Sequence, residues 1–210
     1  TDFFGFKTKL PLGVAAGPLY NKDYMCGAAK DGFSAITWKT FRTSPRLAHR
    51  NEGDFLGHNI VYIQPQLFTF EMLDKKLVGA LDFSHEKEKV SITNSFGMPS
   101  SSPLQWMKEI EEIETYMDEQ KKLAISSVVG SPKEGGGVEE LAEDFALAAR
   151  LAEMSGAKVV ELNLSCPNVK GKEGSIFKNP KDAKIIVQKT RNLLDKKETK
   201  LLIKVGYCEE

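Results

Sequence analysis

Val159-Val160-Glu161-Leu162-Asn163-Leu164-Ser165-Cys166-Pro167-Asn168 is the stretch on which the reading of this chain turns. Residues 159–164 are β-branched or leucine-rich with polar residues at alternate positions, the pattern of a buried strand with one apolar face and one polar face. Leu162 and Leu164 fall on one side, and Val159, Glu161 and Asn163 on the other. Pro167 ends ladder hydrogen bonding and holds Cys166 extended at the strand mouth. A buried cysteine is ordinarily inert packing. Here it keeps company with Glu161, Asn163 and Asn168, and an unpaired buried amide costs about 1–3 kcal/mol. That much polarity points to a site, and α/β folds collect their sites at the carboxyl ends of strands.

The chain has 210 residues, room for one sizeable domain but fewer than the roughly 250 of a complete α/β barrel. Lys plus Arg equals Asp plus Glu at 29 each, so no basic field attracts nucleic acid or an anionic membrane. A small-molecule partner is expected instead. Cys26, Cys166 and Cys208 are far apart and form no zinc or iron–sulfur spacing, which suits a reducing, cytoplasmic compartment. No apolar run approaches a membrane span, no signal pattern opens the chain, and Thr1 in place of methionine implies a preceding piece.

The rest alternates between strand and helix patterns. Residues 3–9 read as a short hairpin strand outside the main sheet, 12–17 as a strand of small residues, 23–30 as a helix stopped by Gly32, and 33–40 as the next strand. On that strand Ala35, Thr37 and Lys39 share a face. Residues 41–90 lose periodicity at Pro45, Gly53, Gly57 and Pro65, with an edge strand at 58–64 and a short helix at 69–81, and read as a lid or added subdomain. Its histidines, His49, His58 and His85, share no metal-ligand spacing. Residues 91–99 are a strand running into a bend at Asn94 and Gly97. A helix over 103–120 carries the stripe Leu104, Met107, Ile110, Ile113 and Met117. Then come a strand at 123–130, a helix at 138–155 burying Leu141, Phe145, Ala148 and Leu151, and the central strand at 158–164. A helix over 180–194 turns Ile185, Ile186 and Leu193 inward, and a last strand, 200–206, carries Lys204 in its middle.

This order predicts a parallel sheet of five principal strands with helices outside. Lys39, Ser127, Asn163, Cys166 and Lys204 then meet at one end. A lone terminal lysine is ordinarily solvated, but a buried ammonium needs an anionic partner, either Glu161 or a ligand.

With these residues in hand, the chain resembles the dihydroorotate dehydrogenase family, FMN-dependent TIM-barrel enzymes that also have a relative in the flavin domain of dihydropyrimidine dehydrogenase. The matching motifs are Ala15-Ala16-Gly17, Lys39-Thr40, residues 94–99 (Asn-Ser-Phe-Gly-Met-Pro), Ser127, the Glu161–Asn168 stretch and Lys204. The resemblance implies a partial (β/α)8 barrel, five of eight parallel strands, forming one incomplete FMN-binding domain over 1–210 with an insertion at 41–90. It implies oxidation of dihydroorotate to orotate in pyrimidine biosynthesis, with Cys166 as the general base at C5 and hydride passing from C6 to flavin N5. A thiol of ordinary pKa about 8.5 is biased toward thiolate by nearby cations and amide donors. Lys39, Asn94, Ser95, Phe96, Gly97, Met98, Asn163 and Asn168 would line the pyrimidine site, and Ala16, Gly17, Lys39, Thr40, Ser127, Asn163 and Lys204 the flavin. A cysteine base suggests the soluble cytosolic class, with a second copy or an electron-transfer subunit as the protein partner.

Two departures qualify the resemblance. The interval from Lys39 to Asn94 is longer than the family's, and no glycine-rich loop follows a late strand to bind the FMN phosphate. The sequence therefore reads as a fragment with an open sheet edge. Alternatives are a dihydropyrimidine dehydrogenase-like reductase, a tRNA dihydrouridine synthase, which the neutral charge disfavours, and a non-catalytic barrel scaffold. The 210-residue chain purified alone is expected to carry substoichiometric flavin by visible absorbance; a stoichiometric flavin band would defeat this expectation.

Overall fold

All six residues of Leu123–Val128 are buried, and the main sheet is assembled on both sides of this strand. The computed structural model describes residues 2–3, 5–47, 60–63, 91–94, 97–166 and 174–207. In chain order the elements are β1 (Asp2–Phe3), β2 (Phe6–Lys7), β3 (Gly13–Val14), α1 (Lys22–Lys30), β4 (Ala35–Thr37), β5 (Ile60–Ile63) and β6 (Ser91–Asn94). They continue with α2 (Pro103–Glu119), β7 (Leu123–Val128), α3 (Val138–Met154), β8 (Val159–Asn163), a 3-10 turn (Ile176–Lys178), α4 (Pro180–Leu193) and β9 (Lys200–Lys204).

Five strands form a parallel sheet in the order β3-β4-β7-β8-β9, so β7 is its middle strand rather than β8. The strand expected at 12–17 contracts to Gly13–Val14. Gly13 is required there, because a Cβ would stand 2.4 Å from the Ala35 carbonyl oxygen of the neighbouring strand. Helices cover the outer face, where Ile36, Val128, Val160, Leu162 and Leu164 pack against Met25, Ile110, Phe145 and Ile186. The expected five-stranded α/β arc is present, and among the described residues no helix is long and apolar enough to cross a membrane.

Two compact units are distinguished, Thr1–Leu47 with Met98–Glu210, and Ala48–Gly97. The second contains the antiparallel pair β5 and β6, near the strands expected at 58–64 and 91–94. The helix expected at 69–81 and the three histidines lie outside the described residues. Phe41 and Arg42, placed at the start of the insertion by the sequence, belong to the main unit. Phe41 stacks on Trp106 with ring centroids 4.4 Å apart, and the Trp106 indole donates to the Arg42 carbonyl at 3.0 Å.

Helix α2 corrects the expected stripe. Leu104 is exposed and Trp106 takes its place, so the buried positions are 106, 110, 113 and 117, the i, i+4, i+7, i+11 set of one helical face. Ser102 caps this helix by accepting from the Gln105 amide. In α4, Ile186 and Thr190 are buried, while Leu193, the last residue of the helix, is half exposed and Leu194 just beyond it is buried.

Glu114 also lies on the buried side of α2. Its carboxylate accepts from the Lys158 amide at 3.4 Å and lies 3.6 Å from the Lys158 ammonium, which also pairs with Asp118. Burial pushes this carboxyl up to about 7, against the pull of Lys158. An unfolded glutamate ionises near 4.3, so the folded state gives up its proton later and stability falls as pH rises from about 4.3 to about 7. Glu114→Gln is therefore expected to gain on the wild type between pH 5 and pH 8 by on the order of 2 kcal/mol in urea denaturation. A gap unchanged with pH would contradict it.

Candidate active site

The inner face of the sheet is divided into two layers. Leu123, Ile125 and Val159 form a floor against which Ala35, Leu202 and, from the N-terminal hairpin, Phe6 pack. Continuing the same alternation toward the carboxyl ends brings up Lys39, Ser127, Glu161, Asn163 and Lys204. Register sets Ser127 beside Glu161 and Asn163 beside Lys204. Polar groups thus gather at the rim end of this face, above the apolar floor. Lys204 is the last residue of β9 and half-buried, not mid-strand as expected.

A run of short hydrogen bonds crosses three strands. Asn163 Nδ2 donates to Thr40 Oγ1 at 2.8 Å, the Thr40 and Ser127 hydroxyls are 2.9 Å apart, and Ser127 Oγ donates to Glu161 Oε1 at 2.7 Å. Burial raises the Glu161 carboxyl above its usual range, while the Ser127 hydrogen bond and the charge of Lys204 draw it back.

The loop after β8 is pinned to the same rim. Asn163 Oδ1 accepts from the Ser165 amide at 3.2 Å, the Ser165 carbonyl accepts from Lys204 Nζ at 3.4 Å, and the Cys166 amide donates to the Gly174 carbonyl at 3.0 Å. Gly206 is needed beside this loop, because a Cβ would stand 2.5 Å from the Phe177 ring and 2.8 Å from Ser165 Oγ. Cys166 is held buried, 8% exposed. From the opposite side, Lys39 Nζ donates to the Gly17 carbonyl at 3.0 Å. Burial lowers the Lys39 ammonium below its usual pKa; Cys166 opposes that shift and Lys204 adds to it. Cys166 and Lys204 are thus both near enough to Lys39 to act on it.

Several predicted site residues come together here: Gly17, Lys39, Thr40, Met98, Ser127, Asn163, Cys166 and Lys204. Ser127 is fully buried one layer beneath the rim, with its hydroxyl engaged by Thr40 and Glu161. Ala16 precedes Gly17 in the loop after β3, and a Cβ on Gly17 would meet only the Ala15 carbonyl at 3.9 Å, leaving open room at that position. Asn94 ends β6 in the second unit, and Ser95, Phe96 and Asn168 lie outside the described residues. The expected bend falls at Gly97 and Met98, with φ of 70° and 52°. Met98 Sδ lies 3.8 Å from Asn163 Nδ2.

Sequence reasoning missed two contributors. Arg42 is buried, and its Nε donates to the Met98 carbonyl at 3.3 Å while Nη1 reaches the Gly130 carbonyl at 3.2 Å and Ser131 Oγ at 3.0 Å. It thereby sets the height of Met98 against Asn163. Ser165 acts through its backbone, which no side-chain pattern announces. Removing the Lys204 charge by Lys204→Met is expected to raise the Lys39 pKa, and Cys166→Ser to lower it, in NMR titrations of the labelled lysine; no movement in either would separate the three groups.

No protein-family model matches the chain. It is 32% identical over 213 residues to a dihydroorotate dehydrogenase of Dictyostelium discoideum, covering 100% of this chain and 55% of that protein. It is 23% identical over 181 residues to the catalytic subunit of dihydroorotate dehydrogenase B (NAD(+)) of Methanocaldococcus jannaschii, covering 86% of this chain and 46% of that one. The chain thus spans about half the length of the curated relatives it matches. Among solved structures, an Eimeria tenella dihydroorotate dehydrogenase in complex with ferulenol superimposes with a TM-score of 0.62 at 14% identity, over 96% of this chain and 50% of that one. The fold is accordingly a partial (β/α)8 barrel.

Proposed function

Because the chain is related along its whole length to the dihydroorotate dehydrogenases, we propose that its rim binds FMN and a dihydropyrimidine and contributes to oxidation of dihydroorotate to orotate. What supports this reading is Lys39, on which Cys166 and Lys204 both act, together with the Asn163 carboxamide at the ends of the same strands.

The donor set suits a flat ring that gains negative charge. Two ammonium groups flank the rim, a fixed carboxamide stands between them, and the loop at Gly17 leaves room for a close approach. FMN, when bound, supplies the acceptor for the hydride. Lys39, Thr40, Asn163 and Lys204 would hold it, with Ala16 and Gly17 offering backbone and Ser127 supporting Thr40 from below. The chain's own chemical task is the proton. Cys166 takes the proton from C5 of dihydroorotate as the C6 hydride leaves, and Lys39 stands near it. Burial of Cys166 keeps bulk water from its thiol. Met98, whose Sδ lies 3.8 Å from Asn163 Nδ2, is placed to border the pyrimidine.

The test is orotate formation, followed by ultraviolet absorbance, with FMN in excess, dihydroorotate and an artificial acceptor. Cys166→Ala is expected to cut the rate near neutral pH by about 10²-fold or more. A variant retaining the wild-type rate would remove the thiol from the chemistry. Preference for dihydrouracil over dihydroorotate, followed as uracil formation with the same acceptor, would reassign the substrate.

A further inference from the structure

Glu161 is a carboxylate on the inner face of the sheet that the proposed chemistry leaves without a task. Its neighbours give it one. An ionised carboxylate only accepts hydrogen bonds, and a hydroxyl has a single hydrogen to donate. With Ser127 donating to Glu161 at 2.7 Å, the 2.9 Å contact to Thr40 must be a donation from Thr40 to Ser127. The acceptor side of Thr40 is then taken by Asn163 Nδ2 at 2.8 Å. The directions of the two hydroxyls, Ser127 and Thr40, are dictated by one negative charge.

We propose that Glu161 is a positioning residue that sets, through Ser127, whether the Thr40 hydroxyl is spent inside the sheet or released to a ligand on the rim. When Glu161 takes up a proton its O–H donates to Ser127, the Ser127 O–H turns to Thr40, and Thr40 accepts from both Ser127 and Asn163. The Thr40 hydrogen must then find another acceptor, on the rim side. One proton is bound, no covalent bond breaks and no heavy atom moves.

The charges around Glu161 make this state responsive. Lys204 faces it from β9 and draws its carboxyl toward ionisation, and Lys39 and Cys166 stand at the rim above. Lys200 sits on the same face of β9, beyond Leu202, toward the opposite end. Adjacent inner positions on β7 and β4 are Ile125 and Thr37, which carry no charge. An anion settling against Lys204 would weaken its hold on Glu161 and favour proton uptake, delivering the Thr40 donor as the ligand arrives. The receiving ligand and this last consequence rest on the rim being the ligand site; the switch in hydroxyl direction does not.

The ligand-free 210-residue chain provides the test. Carbon-13 titration of the Glu161 carboxyl and nitrogen-15 titration of the Asn163 side-chain amide are expected to share one midpoint, above the usual glutamate range. In Ser127→Ala the Glu161 carboxyl should still titrate while the Asn163 amide no longer follows it. Lys204→Met keeps the relay whole and should move both midpoints upward together, which serves if Ser127→Ala fails to fold. An Asn163 amide that ignores the Glu161 midpoint in the wild type, or still follows it in Ser127→Ala, overturns the proposal. Because no ligand is present, this outcome is independent of the orotate assay.

Discussion

A charge on the inner face of a parallel sheet has little water to turn to, and the structure depends on how Lys39, Glu161 and Lys204 satisfy one another there. An isolated ion in such a place costs several kcal/mol. Each is therefore provided for: Lys39 by the Gly17 carbonyl and the nearby thiol, Lys204 by the Ser165 carbonyl, and Glu161 by the Ser127 hydroxyl and the charge of Lys204. None of them could be moved down a layer, because Leu123, Ile125 and Val159 offer no polar atom. The apolar floor is what confines the polar chemistry to the strand ends.

Holding that rim in register is the work of the outer shell. Glu153, buried on α3, accepts from the amides of Asp195 at 3.0 Å and Lys196 at 3.1 Å, fixing the turn through which the chain enters β9. The backbone then pairs Asn163 with Lys204, and the Leu164 amide bonds the Lys204 carbonyl at 3.0 Å. The height of an ammonium at the site is thus decided partly by a carboxylate on the far side of the sheet. Arg42 performs a similar service on the other flank, joining the carbonyls of Met98 and Gly130.

Much of this was legible in the linear order. Alternation from Val159 to Asn163 assigned Leu162 to the helices and Glu161 and Asn163 to the interior, as observed. Helices α2, α3 and α4 lie within a few residues of their expected bounds, since proline and asparagine or serine caps mark two of the starts. Less legible were features set by neighbours distant in sequence. Leu104 looked as apolar as Trp106, but only the position of the sheet decides which side of α2 is covered. Arg42 reads as a surface cation until the two carbonyls and the hydroxyl it bridges are brought around it.

By itself the sequence determined which residue types alternate along each strand, where the helices start and which polar side chains share a parity, because these follow from the local periods of 2 and 3.6 residues. It also carried the motifs by which the chain resembles the dihydroorotate dehydrogenases. Tertiary structure alone decided that β7 is the middle strand, that Ser127 lies under the rim and that four side chains, from β7, β8 and the segment after β4, form one directed chain of hydrogen bonds. The reason is physical: strand order and register are set by packing between segments up to 123 residues apart, and the direction of a hydrogen bond is set by whichever partner has no proton to give.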